Sequence, residues 1–146
     1  MNSDWLVMDA SIAIKAVLPN PELENCLALV GTFAQIKPLA PALWAYETTS
    51  ALNKAVHFKS ITQSEARQAL KLLHALEVQL FIPDEDQNLK AFEWTLRIQR
   101  VSAYDSFYLA LAQTLECEFW TADKRLYNAL RDEQLDWLHY IGELNH

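Results

Sequence analysis

The chain has 146 residues, of which 51% are hydrophobic, and carries a formal net charge of −7 at pH 7. This length and apolar content predict one globular domain, residues 1–146, with a sizeable core. The negative charge argues against generic nucleic-acid affinity, which normally comes from lysine and arginine side chains that displace counterions from phosphates. The two glycines form neither a GxGxxG motif nor a P-loop, which excludes phosphate binding by a glycine-rich turn.

The N-terminal residues and the cysteines bear on the cellular compartment. Residues 1–8 contain an acid, Asp4, and no basic region before the apolar stretch, so neither a secretory signal nor a transmembrane helix is expected. We therefore expect a cytoplasmic protein that does not associate with membranes. Cys26 and Cys117 lack a CxxC or paired-histidine pattern, which favours two buried free thiols over a zinc site or a disulfide.

Strand and helix patterns alternate along the whole sequence. The predicted strands are residues 5–8, 78–82, 118–121 and 137–141. The predicted helices are residues 11–18, one that begins at Pro21 with Asn20 as its cap, 42–58 after an entry through Pro38 and Pro41, 62–76 with a capping box, 87–98, 103–115 and 124–130. Strands separated by helices predict an α/β fold of three layers, α/β/α, with a central parallel sheet of about four to five strands.

Two aspartates come after predicted strands. Asp9 directly follows the first apolar run, and Asp123 follows the Phe119 to Thr121 run by two residues. Ligands bind to such a sheet beyond the carboxyl ends of its strands, so both acids are candidate site residues. Each aspartate also precedes a helix, and N-capping is an alternative explanation for its presence.

Two further acids lie on predicted helices. Asp105 is in the first turn of a helix that is apolar on every side over residues 107–112, which indicates a central buried helix. The helix dipole alone would favour an acid there. Glu47 shares a stripe with Leu43 and Ala51 at helical spacing, and a mid-helix carboxylate on an apolar face has no capping role. A buried ion pair is the alternative for Glu47.

Carboxylates that converge on one site repel one another and raise their pKa values unless a cation keeps them ionised. No His or Cys is placed among these acids, and an oxygen-only donor set selects a hard ion, so we expect Mg²⁺ or Mn²⁺ rather than zinc. Magnesium keeps coordination positions open for water and a phosphate, as the hydrolysis of a phosphodiester requires.

Four segments carry the acids: Val7–Ser11 (VMDAS), Pro41–Glu47 (PALWAYE), Ala103–Ala110 (AYDSFYLA) and Phe119–Leu126 (FWTADKRL). Each motif alone is weak, but their order and spacing across nearly the whole chain resemble the PIN-domain ribonucleases, in particular the VapC-like toxins of type II toxin–antitoxin systems. One departure is Ser106, where the family more often has alanine. A serine is of similar size and is not expected to disturb metal binding.

The resemblance implies four residues that are both catalytic and metal ligands: Asp9, Glu47, Asp105 and Asp123, the last acting directly or through water. Ser11 and Thr121 resemble the hydroxyl residues that orient these acids. The alternative is that they serve only as helix-cap or strand-end hydroxyls. The implied activity is magnesium-dependent endonucleolytic cleavage of RNA by metal-activated water, which leaves 5′-phosphate and 3′-hydroxyl ends. Four basic residues are candidates for guiding the RNA backbone: Lys15, Lys54, Lys124 and Arg125.

The resemblance also implies protein partners. They are a small cognate antitoxin, whose basic side chain enters the pocket near Asp9 and Asp105, and a homodimer or a toxin–antitoxin hetero-oligomer. Leu23, Leu27 and Val30 are candidates for a groove that receives the antitoxin tail, or for self-association.

Two rival interpretations stay open at this point. The first is a PIN-like module that binds RNA or protein without cleaving; the presence of all four acids counts against it. The second is a magnesium phosphotransferase of the haloacid-dehalogenase type, which requires an aspartate two residues after Asp9. The sequence has Ser11 there.

Overall fold

The structure, a computed structural model, describes residues 2–100 and 102–144. Its strands are β1 (Asn2–Met8), β2 (Lys37–Pro41), β3 (Gln79–Phe81), β4 (Cys117–Thr121) and β5 (Leu138–Tyr140). Its α-helices are α1 (Ala10–Val17), α2 (Leu23–Val30), α3 (Leu43–His57), α4 (Gln63–Ala75), α5 (Glu85–Arg97), α6 (Tyr104–Leu115) and α7 (Lys124–Leu130). Short 3₁₀ turns follow α7 and β5, at Arg131–Glu133 and Ile141–Glu143.

The strands form one parallel sheet in the order β3-β2-β1-β4-β5. The central strand β1 is paired on both sides, with Val7 opposite Leu39 of β2 and Phe119 of β4. A strand covered on both faces must be apolar on both faces, and accordingly Val7 and Met8 are both fully buried. Helix α1 packs on α2, α3 and α4, whereas α5 packs on α6, which lies against β1, β2 and β4. The three-layer α/β/α architecture is confirmed.

Helix α6 is buried, as its all-round apolar sequence predicts. Its side chains from Tyr108 to Ala112 are nearly inaccessible, and the Tyr108 ring stacks on Phe119 of β4 with a centroid distance of 6.0 Å. Ser106 is fully buried as well, and its hydroxyl is 2.8 Å from that of Thr95 on α5. The serine therefore places a satisfied hydrogen bond between α5 and α6, away from the acids.

Strand β2 was not predicted, because Pro38 and Pro41 were interpreted as an entry into the following helix. Proline cannot donate a ladder hydrogen bond, which argues against a central strand. The register shows how β2 accommodates the two prolines. Pro38 is opposite Leu6 of β1, before the pairing with β3 begins, and Pro41 is opposite Phe81 of β3, after the pairing with β1 has ended. Each proline thus lies where the strand has one paired neighbour.

The predicted start of the second helix was wrong. Helix α2 begins at Leu23, and Asn20 stabilises the preceding turn instead of capping the helix. The Asn20 amide group donates to the carbonyl oxygens of Lys15 and Leu18, each at 2.7 Å, and its Oδ1 accepts from the backbone N–H of Glu22 at 2.8 Å. The predicted capping box at the start of α4, in contrast, is confirmed.

Both cysteines, Cys26 and Cys117, are buried free thiols, as predicted. Among the described residues, no helix is long and apolar enough to span a membrane.

Candidate active site

Asp9 lies at the carboxyl end of β1, where it is 6% exposed and caps α1. Its Oδ1 accepts hydrogen bonds from the backbone N–H of Ser11 at 3.1 Å and of Ile12 at 3.4 Å, and also from the Ser11 hydroxyl. Its Oδ2 accepts from the hydroxyl of Thr121. The capping interpretation of Asp9 is therefore correct, and it coexists with a place at the ligand-binding edge of the sheet.

The hydroxyls of Ser11 and Thr121 connect Asp9 to the loop after β4. The Ser11 Oγ accepts from the backbone N–H of Ala122 at 2.9 Å, and the Thr121 Oγ1 accepts from the backbone N–H of Asp123 at 2.9 Å. Each hydroxyl thus donates to Asp9 and accepts from the neighbouring loop. This geometry fixes the Asp9 carboxylate and supports an orienting role for Ser11 and Thr121.

Asp123 caps α7, as its position before a helix allows. Its Oδ1 accepts from the backbone N–H of Arg125 at 3.0 Å and of Leu126 at 3.2 Å. Because β1 and β4 are neighbouring parallel strands, their carboxyl ends bring Asp9 and Asp123 to the same edge of the sheet.

Glu47 lies in the second turn of α3, the helix that follows β2, and is half-buried. Its Oε1 accepts a hydrogen bond of 2.5 Å from the phenol hydroxyl of Tyr108 on α6. Among the described residues, the polar partner of Glu47 is this neutral hydroxyl, so the alternative of a buried ion pair is not supported. Burial raises the pKa of Glu47, the bond from Tyr108 opposes the rise, and the charge of Asp105 adds to it.

Asp105 lies in the first turn of α6, which leads into β4. A helix that connects parallel strands runs back across the sheet, so its first turn lies near the carboxyl ends of the strands. The Oδ2 of Asp105 is 4.0 Å from Nη1 of Arg100. Burial raises the pKa of Asp105, the guanidinium of Arg100 opposes the rise, and the charge of Asp123 adds to it.

The four acids are close enough to influence one another. Burial raises the pKa of Asp9 to about 7, against the bonds from Ser11, Thr121 and Ile12, and the charge of Asp105 contributes to the rise. Asp105 also contributes to the raised pKa of Glu47 and is itself affected by Asp123. Asp105 is thus the acid through which the other three are electrostatically coupled.

The donor chemistry of this cluster fits a hard divalent cation, because every potential ligand atom is a carboxylate oxygen and positive charge would relieve the repulsion between the acids. The four carboxylates are spread apart rather than gathered around one point. Within the part of the chain that the structure describes, no three Asp, Glu, His or Cys side chains form a group that could enclose a metal ion. One of the four acids, Asp105, is directed toward Arg100.

Sequence reasoning missed two residues that contact the acids. Tyr108 was interpreted only as part of an apolar helix, although it lies three residues after Asp105 and so on the same face of α6. Arg100 lies five residues before Asp105, in a connection without a periodic pattern, and no sequence signal distinguished it from a surface cation.

The four basic candidates differ in availability. Lys15 forms a 2.5 Å ion pair with Glu22, which makes it a poor candidate for contacts with a phosphate. Lys54, Lys124 and Arg125 are exposed.

The fold and the site together define an α/β protein with an all-carboxylate cluster at the carboxyl edge of a parallel sheet. A family model described as PIN domain matches residues 6–131, and the chain therefore belongs to the PIN-domain family. Ribonuclease VapC1 of Mycobacterium tuberculosis is 31% identical over 123 residues, which are 84% of this chain and 89% of the relative. VapC ribonuclease Mb0985 of Mycobacterium bovis is 30% identical over 123 residues, 83% of this chain and 87% of the relative.

Two solved structures share the fold. One is Mycobacterium tuberculosis VapC20, described as a toxin that cleaves the sarcin–ricin loop; it has a TM-score of 0.61 and 15% identity and covers 85% of this chain and 94% of its own. The other is VapBC-1 from nontypeable Haemophilus influenzae, with a TM-score of 0.57 and 16% identity over 95% of this chain and 99% of its own. The PIN-like architecture expected from the sequence is thereby confirmed.

Proposed function

We propose that this chain is a metal-dependent endoribonuclease and the toxin of a toxin–antitoxin pair. The observation that carries the proposal is the placement of the acids: Asp9 and Asp123 follow the neighbouring strands β1 and β4, Asp105 lies in the first turn of α6, and Tyr108 of the same helix holds Glu47. The relatives that are at least 30% identical are named ribonucleases, and a solved neighbour is named a toxin. A negatively charged chain needs a local positive charge to accept a phosphodiester, and a cation bound by the four acids would provide it.

The protein side of the reaction follows from the contacts of the acids. Asp9 is held by Ser11, Thr121 and the first turn of α1, and these contacts orient its carboxylate. Glu47 is positioned by Tyr108, and its carboxylate would help to hold the cation. When bound by the cluster, Mg²⁺ or Mn²⁺ would supply Lewis-acid stabilisation of the phosphate and of the leaving 3′ oxygen.

The first experiment incubates the purified chain with structured RNA and either Mg²⁺, Mn²⁺ or excess EDTA. We expect cleavage with the cations, none with EDTA, and 5′-phosphate and 3′-hydroxyl ends. Asp105→Asn should reduce the rate by orders of magnitude while circular dichroism stays unchanged. Cleavage that persists in EDTA, or 2′,3′-cyclic phosphate ends, would contradict the metal mechanism, because cyclic ends require attack by the ribose hydroxyl.

The partner part of the proposal rests on VapBC-1, whose name joins VapC to a second component. An acidic cluster attracts an arginine or lysine, and an antitoxin side chain near Asp9 and Asp105 would compete with the metal for it. Leu27 on α2 is half-exposed, with Leu23 and Val30 partly buried beside it, so α2 is the candidate surface for the rest of the tail. A homodimer using the same surface is the other arrangement.

The partner proposal is tested in a bacterial host. Expression of the chain alone should arrest growth, and co-expression of the small protein encoded next to it should restore growth. Asp105→Asn should relieve the arrest without a partner. If the wild-type chain accumulates with no effect on growth or RNA integrity, the toxin role is wrong.

One observation favours the second candidate function, a PIN-like module that binds without cleaving. Within the described ranges, the acids do not form a group of three around one point. The two candidates differ in a direct measurement: isothermal titration with Mn²⁺ should show binding that Asp9→Asn and Asp105→Asn each abolish. Absence of Mn²⁺ binding by the wild-type chain would favour the binding module.

A further inference from the structure

A cleft with a volume of about 490 Å³ opens directly beside the acidic cluster. It lies between one face of α3 and the start of α6, and we refer to it as the tyrosine cleft. Its wall is formed by Leu43, Tyr46, Glu47, Ser50, Ala51, Lys54 and Tyr104. Glu47 belongs to both the cleft and the acidic cluster, so the two are continuous.

Tyr46 and Tyr104 are not part of the buried core. Tyr46 is 75% exposed and Tyr104 is 66% exposed, so neither ring contributes a buried surface to the core. Each directly precedes a site acid in the sequence, Tyr46 before Glu47 and Tyr104 before Asp105. An aromatic side chain that lines a cleft next to a charged site while staying exposed is available to a ligand.

The side chains of the wall favour a flat aromatic ligand that carries polar atoms at the edge of its ring. Exposed tyrosine rings offer faces on which a nucleobase stacks, and stacking tolerates every base. The wall also carries the small side chains of Ser50 and Ala51, which leave room for a ring. The phenol and serine hydroxyls can donate to or accept from the edge of a base.

The charge pattern along the cleft indicates how a nucleotide would lie. Glu47 stands at the end that meets the acidic cluster, and Lys54 stands seven residues further along α3, which is about 10 Å along a helix axis. Lys54 is exposed and lies in the last turn of the helix. The phosphate on the side of the base that is away from the acids would therefore lie near the ammonium group of Lys54.

We propose that the tyrosine cleft binds a nucleobase of single-stranded RNA next to the cleaved phosphodiester, with Tyr46 and Tyr104 stacking on the base and Lys54 contacting a neighbouring phosphate. The inference rests on the proposed ribonuclease function and deepens it by assigning a substrate subsite. The base must be unpaired, because a paired base is stacked within its own duplex and does not present its faces to a side chain.

The test measures binding and cleavage of short single-stranded RNAs that carry one 2-aminopurine. Binding is followed by 2-aminopurine fluorescence in Ca²⁺, and cleavage is followed in Mg²⁺ and Mn²⁺. Tyr46→Ala and Tyr104→Ala should each raise Kd and KM by about tenfold, as the loss of one stacking contact does, with little change in kcat. Tyr46→Phe and Tyr104→Phe keep the ring and should stay within about threefold of wild type, the loss expected for one exposed hydroxyl hydrogen bond.

Lys54→Ala should weaken binding and reduce the slope of log Kd against log salt by about one, as expected for one phosphate contact. The matched control is Phe92→Ala, which removes a 56% exposed ring from α5, a helix that does not line the cleft. It should leave Kd and KM unchanged. Circular dichroism checks that each variant is folded.

The outcomes separate the subsite from the ribonuclease function. If the wild-type chain cleaves RNA and both alanine variants bind and cleave as it does, the subsite is wrong and the ribonuclease function stands. If the alanine variants change the mass measured by sedimentation without changing RNA affinity, the cleft is a contact between protein copies and the subsite is likewise wrong. If the wild-type chain neither binds nor cleaves RNA, the ribonuclease function fails and the subsite fails with it.

Discussion

The phenol hydroxyl of Tyr108 donates a hydrogen bond to Oε1 of Glu47 at 2.5 Å, and so joins α6 to α3 at the acidic cluster. Tyr108 is one helical turn from Asp105, so the same face of α6 presents an acid to the site and a donor to another acid. The bond stabilises the ionised form of Glu47 and thereby opposes the rise in pKa that burial causes.

Tyr108→Phe removes this donor and keeps the ring that stacks on Phe119. Because the bond lowers the pKa of Glu47, its loss should raise that pKa further, and the acidic limb of the pH–rate profile should move to higher pH. On that limb we expect activity to fall about tenfold, which corresponds to the free energy of a charge-assisted hydrogen bond. The loss at alkaline pH should be smaller. Tyr127→Phe is the control, since its hydroxyl bonds Glu143 away from the cluster. An unshifted acidic limb would rule out a role for Tyr108 in the ionisation of Glu47.

Asp9 should make the protein less stable as the pH rises. The pKa of Asp9 is about 7 in the folded chain, above the ordinary value of 3.8, so the folded chain binds more protons than the unfolded chain between these values. Asp9 therefore stabilises the folded chain below pH 3.8. This stabilisation, up to about 4 kcal/mol, is lost as the pH rises through 7. Asp9→Asn should remove this loss and be more stable than wild type at pH 8 without divalent cations. Urea denaturation at several pH values measures the difference, and Asp84→Asn, at the exposed cap of α5, provides the control.

Asp9→Ala and Asp9→Asn should differ in stability although both should be inactive. Asparagine can still accept from the backbone N–H groups of Ser11 and Ile12, whereas alanine cannot. The alanine variant should therefore be less stable than the asparagine variant by about 0.5–2 kcal/mol, the usual cost of losing an N-cap. Thermal denaturation of the two variants side by side measures this difference. Equal stability would mean that the cap contributes nothing to α1.

Thr121→Val tests the hydroxyl that connects Asp9 to Asp123. Valine has the same shape but neither donates to Asp9 nor accepts from the backbone N–H of Asp123. Since the hydroxyl lowers the pKa of Asp9, its loss should raise that pKa, weaken Mn²⁺ binding near pH 7 and cost about 1–3 kcal/mol through unsatisfied buried groups. Titration calorimetry and urea denaturation give the two values. Thr114→Val, which loses the bond that Lys90 donates to its hydroxyl, should change neither.

Arg100→Met should raise the pKa of Asp105, because the guanidinium is the group that lowers it. The methionine keeps much of the length of the side chain and removes its charge. We expect the acidic limb of the pH–rate profile to move to higher pH, and the shift should shrink with added salt, as for an ion pair that solvent partly screens. Arg97→Met, at an exposed ion pair with Glu133, is the matched control. A limb that stays in place would exclude coupling between Arg100 and Asp105.

The sequence predicted most of this arrangement where local chemistry determines the structure. Helix α7 was predicted with its observed limits, and the three-layer parallel architecture was predicted as well. The positions of Asp9, Ser11, Thr121 and Asp123 could be predicted because strand ends and helix starts are local features, and the parallel pairing of β1 with β4 then brings these residues together. Strand β2 was missed because its prolines are tolerated only through the staggered register of two other strands. The contacts of Tyr108 and Arg100 depend on how α6 meets α3 and on an irregular connection, which no local pattern encodes.

The strands at the two edges of the sheet, β3 and β5, have three residues each. An edge this short presents few unpaired backbone groups, so it is a poor template for the strand-to-strand addition that leads to aggregates and fibrils. A second copy of this chain, or a peptide in extended conformation, therefore finds few backbone groups at which it could add a strand to the sheet. Any lasting complex must form through helix surfaces and side chains, and the tendency of the protein to stay dispersed at high concentration should depend on those surfaces and not on the sheet.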